Sequence, residues 1–218
     1  RMGSHSFQMV VGYRNLEELS DRLDAFSYRV TKEEALDLPD KIYVTREVPL
    51  TKDQLQYYKT MRDTAIALID GDELVSAPAI MTQLLRLQQI LCGNVVLDNG
   101  DRIEFPTNRL DAMMQTIEEM TGKVIIWSRF RYDIRKIYGM LVEEYGPQSV
   151  VTYYGDTSDD DRQEAIRKFQ FEDARFFVGN PQTAGMGLTL HAATNVIYYA
   201  NDFNLESRIQ SEDRCHRI

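Results

Sequence analysis

Apolar positions recur at helical spacing through the first part of the chain, then give way to short unbroken apolar runs set between helical stretches. NLEELSDRLDAF opens with Asn15 and places Glu18 three residues later, the spacing of a capping box ahead of a spaced apolar stripe, which predicts a helix. TKDQLQYYKTMRDTAIALI repeats the device with Thr51 and Gln54, and SAPAIMTQLLRLQQILCG predicts a helix that stops at Gly93. KIYVTREV, between the first two of these helices, is β-prone and predicts a strand. In VVLDNGDRIEF two short β-prone runs flank Asn99 and Gly100, predicting a two-residue hairpin that marks a boundary between the two parts of the chain.

After the hairpin, strand and helix alternate. NRLDAMMQTIEEM, YDIRKIYGMLVEEY and SDDDRQEAIRKF read as helices, the last capped by Ser158; KVIIW, SVVTYY, ARFFVG and TNVIYYA read as strands, and the closing segment as a helix. Short continuous apolar strands between amphipathic helices imply an α/β fold with a parallel sheet covered on both faces. Ligands gather at the carboxyl ends of such strands. The loops after Trp127, Tyr154 and Gly179 therefore become candidate positions.

Composition narrows the classes. The 218 residues, 43% hydrophobic and 27% charged, are those of a folded globular protein with room for one large core or two small domains. KVIIW and TNVIYYA fall far below the roughly 18 apolar residues of a membrane span, so no membrane anchor is expected. The opening RMGSHS lacks the apolar region of a signal peptide and reads as an expression-tag remnant. Cys92, Cys215, His5, His191 and His216 show no metal-ligand spacing, which predicts a reducing interior and no structural metal. A formal charge of −9 argues against a surface broadly coated for nucleic acid, so any such contact must be local.

The segment NLESRIQSEDRCHRI raises a sharper possibility. On a helix, Gln210, Arg214 and Arg217 share a face. One amide and two guanidiniums on that face would grip phosphate oxygens, because arginine keeps its charge and offers a fixed fork of donors. The alternative is a solvated helix end with cations favoured by the dipole.

KVIIWSRF, YYGDTSDDDRQEAIRKFQ, TAGMGLTLHAATNVIYYANDFN and QSEDRCHRI stand in the order and at the separations of the C-terminal helicase lobe of Snf2-type ATPases, within helicase superfamily 2. Upstream, YRVTKEEALDLPDKIYVTREVPLTKDQLQYY resembles the segment that links the two motor lobes in that family. The resemblance covers nearly the whole chain and is carried by several motifs in register. It implies a RecA-like parallel sheet with helices on both faces over 107–218, preceded by a mainly helical inter-lobe region over 7–106 with a hairpin near 95–105, after the tag remnant at 1–6.

By this resemblance Gln210, Arg214 and Arg217 fall on the family's last motif, whose arginines reach across a cleft to the phosphates of ATP held by the other lobe. The chemistry suits them, since phosphoryl transfer is catalysed mostly by positioning and cationic stabilisation. Asp213 reads as an orienting partner for a neighbouring arginine, or as a solvated carboxylate. Gly185 and Gly187 match the glycine-rich stretch at the ATP site, where absent side chains allow close backbone approach; serving only a tight turn is the alternative. Ser128, Arg129, Gly155, Thr157 and Asn180 match positions that contact the DNA backbone, with helix capping the alternative for Ser128 and Thr157. Arg162, Arg167 and Lys168 add charge nearby, or form only a solvated face. Ala184 stands where a glycine is usual, Pro181 replaces a hydroxyl residue, Ala200 an aspartate and Phe203 a tryptophan. The change at Pro181 removes a donor to a DNA phosphate.

A complete motor also needs a glycine-rich Lys-Ser/Thr loop for phosphates and acidic residues for magnesium; neither GxxxxGK[ST] nor DEx[HD] occurs in the chain. The expectation is therefore a fragment ending at the last motif, inactive as an ATPase alone, with ATP and Mg2+ held mainly by an N-terminal RecA-like lobe of the same protein. The expected partner of the parent is double-stranded DNA, tracked without sequence preference and without strand separation. The compartment would be the cytoplasm for a bacterial or viral source and the nucleus for a eukaryotic one. A stand-alone nucleic-acid or protein-binding module, and part of a different unwinding helicase of superfamily 2, are the competing readings.

Overall fold

The computed structural model describes residues 12–70, 77–184 and 188–216; Gly185, Gly187 and Arg217 lie outside them. The chain divides into two units, one ending at Asp40 and one beginning at Lys41. In the first, α1 (Leu16–Asp24) and α2 (Lys32–Ala35) are its helices among the described residues. The predicted capping box at Asn15 does not form. Asn15 adopts a left-handed conformation at φ 58° and its side chain caps nothing, while Glu18 turns forward to Arg22 at 2.6 Å. An i,i+4 ion pair has taken the acid that the box required.

The second unit is built on a four-stranded parallel sheet. Its strands are β3 (Lys123–Ser128), β4 (Val150–Tyr153), β5 (Phe176–Gly179) and β6 (Ala193–Ala200), in the order β4-β5-β3-β6. Strand alternation sends successive side chains to opposite faces. Val124, Ile126, Phe176 and Val178 join α5 (Arg109–Glu118) and α6 (Arg131–Tyr145) through Leu110, Met113, Ile117, Ile134, Ile137 and Leu141. Ile125, Trp127 and Phe177 join α7 (Asp159–Phe171) through Ala165 and Phe169 on the other face. The sheet is thus covered on both sides, as the uninterrupted apolar runs predicted. Among the described residues no helix is long and apolar enough to cross a membrane.

Ahead of the sheet, α3 (Lys52–Asp70) packs on α4 (Ala77–Leu91), and α4 leads into the hairpin of β1 (Asn94–Val96) and β2 (Arg102–Glu104). The capping box at α3 forms in full: Thr51 N–H donates to Gln54 Oε1 at 3.2 Å and Gln54 N–H to Thr51 Oγ1 at 3.3 Å. Gly93 ends α4 at φ +86°, where a Cβ would lie 2.8 Å from Thr107 Cγ2. The hairpin differs from its predicted turn. Gly100 N–H closes onto Leu97 O at 3.0 Å and Leu97 N–H onto Asp101 O at 2.8 Å, so Asp98 and Asn99 are the turn centre and Gly100, at φ +89°, follows it. The three-residue loop with a left-handed glycine has replaced the two-residue loop.

Residues 41–50, predicted to contain a strand, form none. β-propensity describes fit to a sheet surface, and this segment pairs with no strand among the described residues; Ile42 and Val44 point outward, 88% and 77% exposed. Side chains hold it in place, through Lys41 and Tyr43 at one end and through Asn108 Nδ2, which donates to Pro49 O at 2.9 Å, at the other.

Candidate functional site

The carboxyl ends of β3, β4 and β5 bring the predicted nucleic-acid loops together. Asn180, directly after β5, donates from Nδ2 to Arg129 O at 2.8 Å and from its backbone N–H to Tyr153 O at 3.1 Å, which ties all three loops. Arg129 N–H reaches Ala200 O at the end of β6 at 3.2 Å, so the fourth strand joins the same edge. The Arg129 guanidinium donates to Gln88 Oε1 on α4 at 2.8 Å, anchoring the helical region to this edge. Thr157 closes the β4 loop: its Oγ1 accepts from Tyr154 N–H at 3.2 Å and its own N–H returns to Tyr154 O at 3.0 Å.

Ser128 is fully buried. Its hydroxyl donates to Asp133 Oδ2 at 3.3 Å, and Asn94 Nδ2 reaches Asp133 Oδ1 at 3.4 Å. The hydroxyl therefore fixes the start of the Arg129 loop and presents nothing to the surface. Burial pushes the Asp133 carboxyl up to about 6, against hydrogen bonds from Cys92 and Ser128 and the charges of Arg109 and Arg102, which act the other way. Burial also raises the Cys92 thiol, so it is an inert apolar neighbour.

Two cations on this edge had no signature in the sequence. Arg131 Nη1 donates to Asp156 Oδ1 at 2.6 Å and Arg135 Nη2 to Asp156 Oδ2 at 2.8 Å, and both arginines are exposed. Gly155 makes room for Arg131, since a Cβ there would lie 2.7 Å from Arg131 Nη2. Their helical spacing on α6 is visible in sequence, but their meeting with Asp156 depends on the β4 loop folding over them. Arg162 is held by Asp159 at 3.0 Å and Tyr154 O at 3.4 Å. Arg167 and Lys168 point elsewhere, onto Glu164, with Arg167 also on Glu172.

The arginine segment lies on the last helix and the turn that follows it. α9 (Leu205–Glu212) is capped by Asn204, whose side chain accepts from Ser207 N–H at 3.0 Å. The helix ends at Glu212, before Arg214, so Gln210 and Arg214 do not share one continuous helical face, and Arg217 lies outside the described residues. The reason is tertiary. Leu190 N–H donates to Arg214 O at 2.9 Å and Arg214 Nη1 to Leu188 O at 3.3 Å, which draws residues 213–216 out of the helix into a turn against 188–190. Arg214 thus sits next to the chain that follows Gly185 and Gly187, while Gln210 is directed along the helix to Glu206 at 2.9 Å. Asp213 accepts from Lys41 Nζ at 3.2 Å.

Among the described residues no group of three or more His, Cys, Asp or Glu side chains could hold a metal ion. Of the carboxylates near the edge, Asp156 is paired with arginines, Asp202 accepts from Gln182 and the Asn204 N–H, and Asp159, Asp160 and Asp161 sit in the first turn of α7, where they favour the helix N-terminus. A cleft of about 430 Å³ between α3 and β2, lined by Asp53, Tyr57, Glu104 and Phe105, includes none of the candidate residues.

The family described as helicase conserved C-terminal domain matches residues 108–218. The chain is similar to Protein CHROMATIN REMODELING 4 of Arabidopsis thaliana, 25% identical over 230 residues that cover 97% of this chain and 10% of that protein. It is similar to the ATP-dependent helicase brm of Drosophila melanogaster, 25% identical over 220 residues, 87% of this chain and 13% of that one. Among solved structures, the Sulfolobus solfataricus SWI2/SNF2 ATPase core in complex with dsDNA superposes with a TM-score of 0.66 at 27% identity, over 93% of this chain and 44% of that one. The chain spans about a tenth of the length of these curated relatives.

Proposed function

The chain belongs to the helicase conserved C-terminal domain family, as the C-terminal, RecA-like helicase lobe of an Snf2-type superfamily 2 protein, and from that premise we propose that it serves an ATP-dependent translocase on double-stranded DNA. In this reading the lobe supplies two surfaces. Arg129, Asn180 and the Gly155–Thr157 loop, with Arg131 and Arg135 beside them, contact DNA phosphates through guanidiniums, backbone amides and small side chains, which grip the backbone without reading sequence. Ser128 acts beneath this surface by holding the loop through Asp133. Arg214, with Arg217 and Gln210, serves the phosphates of ATP bound to the partner lobe, and Gly185 and Gly187 belong to the same site.

The observation that carries the reading is the convergence of the four strand ends into one hydrogen-bonded edge, tied by Asn180 and Arg129. Parallel strands end on one rim by topology; what supports the reading beyond that is the cross-linking of their loops by Asn180 and Arg129. Magnesium, which neutralises phosphate charge when bound in such motors, finds no fitting set of carboxylates among the described residues of this chain. What this chain's own groups do is donate: the arginines place positive charge where the transferring phosphoryl develops negative charge. Such a parent would work in a nucleus or, in a bacterial or viral setting, in a cytoplasm.

The test compares duplex-stimulated ATP turnover by this chain alone and by a protein carrying both lobes. Turnover only with both lobes, lost on Arg214→Ala, is the expected result. Turnover by this chain alone, free of contaminating ATPase, would refute the reading.

A further inference from the structure

The segment that opens the second unit has no strand partner, yet its first side chains converge on one carboxylate at the end of α9. Glu212 Oε2 accepts from Tyr43 Oη at 2.8 Å and Lys41 Nζ at 3.4 Å, while its Oε1 accepts from Arg208 Nε at 2.6 Å. One oxygen thus serves the helix and the other serves the strap. Lys41 also reaches Asp213 at 3.2 Å. Glu212 is only 14% exposed, and hydrogen bonds from Arg208 and Tyr43 keep it ionised although burial acts the other way. Arg208 is in turn stacked 3.4 Å over the Tyr198 ring, and Tyr198 Oη meets Ser211 Oγ at 2.7 Å, which pins the last turn of α9 to β6.

We propose that Lys41 and Tyr43 are positioning residues for the arginine turn, acting through Glu212, the last helical residue before Asp213 and Arg214. The inference rests on the phosphate role given to Arg214 above and adds the groups that set where its turn begins. The turn is fixed at its far side by Leu190 N–H on Arg214 O. At its near side, the fixed point is the carboxylate of Glu212. If that carboxylate loses the strap, α9 can fray or extend by a residue, and the guanidinium two positions later swings with it. Displacements of about 1 Å at a reacting group can cost about 100-fold in rate. Ion pairs as exposed as Lys41–Asp213 contribute little to stability, so the strap's effect belongs in turnover and in local order.

Two measurements test this. In the chain itself, hydrogen exchange at the Asp213 and Leu190 amides should quicken in Tyr43→Phe, Lys41→Met and Glu212→Gln while amides of β3 keep their protection, and in Tyr43→Phe and Lys41→Met the melting temperature stays nearly constant. Tyr43→Phe removes one hydroxyl from an exposed ring, so folding is not at stake. In the protein with both lobes, Tyr43→Phe and Lys41→Met should each lower kcat for ATP by about 2- to 160-fold, the span of coupling between contacting residues, with KM for ATP and duplex affinity unchanged. Lys41→Arg should restore most of the turnover. Tyr43→Phe combined with Glu212→Gln should be no worse than Glu212→Gln alone, because the Tyr43 hydroxyl donates to that carboxylate, whereas Lys41 also holds Asp213. Unchanged exchange at both amides overturns the proposal. So does unchanged kcat in a protein whose turnover Arg214→Ala abolishes. If Arg214→Ala itself leaves turnover intact, the phosphate reading fails, and with it the catalytic meaning of the strap, whatever the exchange data say about local order.

Discussion

Asp133 is a single carboxyl whose burial links the sheet, the hairpin and the Arg129 loop, and its proton carries a pH dependence with a definite sign. Burial lifts it to about 6 in the folded chain, above the roughly 3.9 of an unfolded aspartate. The folded state therefore binds the proton more tightly. Its stabilising effect is complete below about pH 4 and is lost as pH rises through about 6. Asp133→Asn keeps an acceptor for Ser128 and removes the charge. It should raise stability near neutral pH by up to roughly 3 kcal/mol, and the gain should vanish below about pH 4. Thermal melts of both chains across this range check it; a gain independent of pH would mean that charge burial is not the cause. The arginines offer the complementary case. In a protein with both lobes, Arg217→Ala should lower turnover by as much as about 10³ to 10⁵, the range arginine fingers supply, and Arg217→Lys should restore little, because lysine lacks the planar fork. A helix-dipole role predicts instead that lysine serves as well as arginine.

At the scale of elements, what could be read from the sequence was what neighbours in the chain decide. The box at Thr51 and Gln54, the cap at Ser158 and the stop at Gly93 are local hydrogen bonds and local backbone conformation, and each stands where its spacing predicted. Gly93→Ala should accordingly cost at least about 1 kcal/mol, through both its φ and the Thr107 contact, and a drop in melting temperature measures it. The strap at 41–50, the end of α9 and the pairing of Arg131 with Asp156 were not readable, because each depends on groups tens of residues away. KIYVTREV has the composition of a strand and no sheet edge to join. The arginine spacing suggested a continuing helix, while Leu188 and Leu190 draw the chain into a turn. The Arg131–Asp156 pairing yields a prediction that separates structural from phosphate-binding roles. Asp156→Asn frees two exposed arginines from their counter-charge, so it should tighten duplex binding while leaving the melting temperature almost unchanged. Weaker binding would mean that Asp156 orders the loop and that the arginines serve only it.

For the whole molecule the decisive quantity is how a chain of net charge −9 approaches a polyanion. The rim at the strand ends gathers Arg129, Arg131, Arg135 and Arg162, and even there Asp156 and the acidic first turn of α7 oppose them. Binding of duplex by this chain alone should therefore be weak, independent of sequence and steep in salt. With each neutralised phosphate contributing about −0.9 to the slope of log K against log salt, engagement of two to four arginines gives a slope between about −2 and −4. The double variant Arg131→Ala, Arg135→Ala should bring the slope toward zero by roughly 2, equally on unrelated duplexes. A diffuse electrostatic association would respond instead to any two surface arginines, so Arg167→Ala paired with Lys168→Ala, on the far flank of α7, is the control. Equal loss from both pairs would show that the rim is not a site. Loss confined to Arg131 and Arg135 would place the DNA backbone on the same edge that Asn180 and Arg129 tie together, and the remaining slope would count the phosphates that the other loops engage.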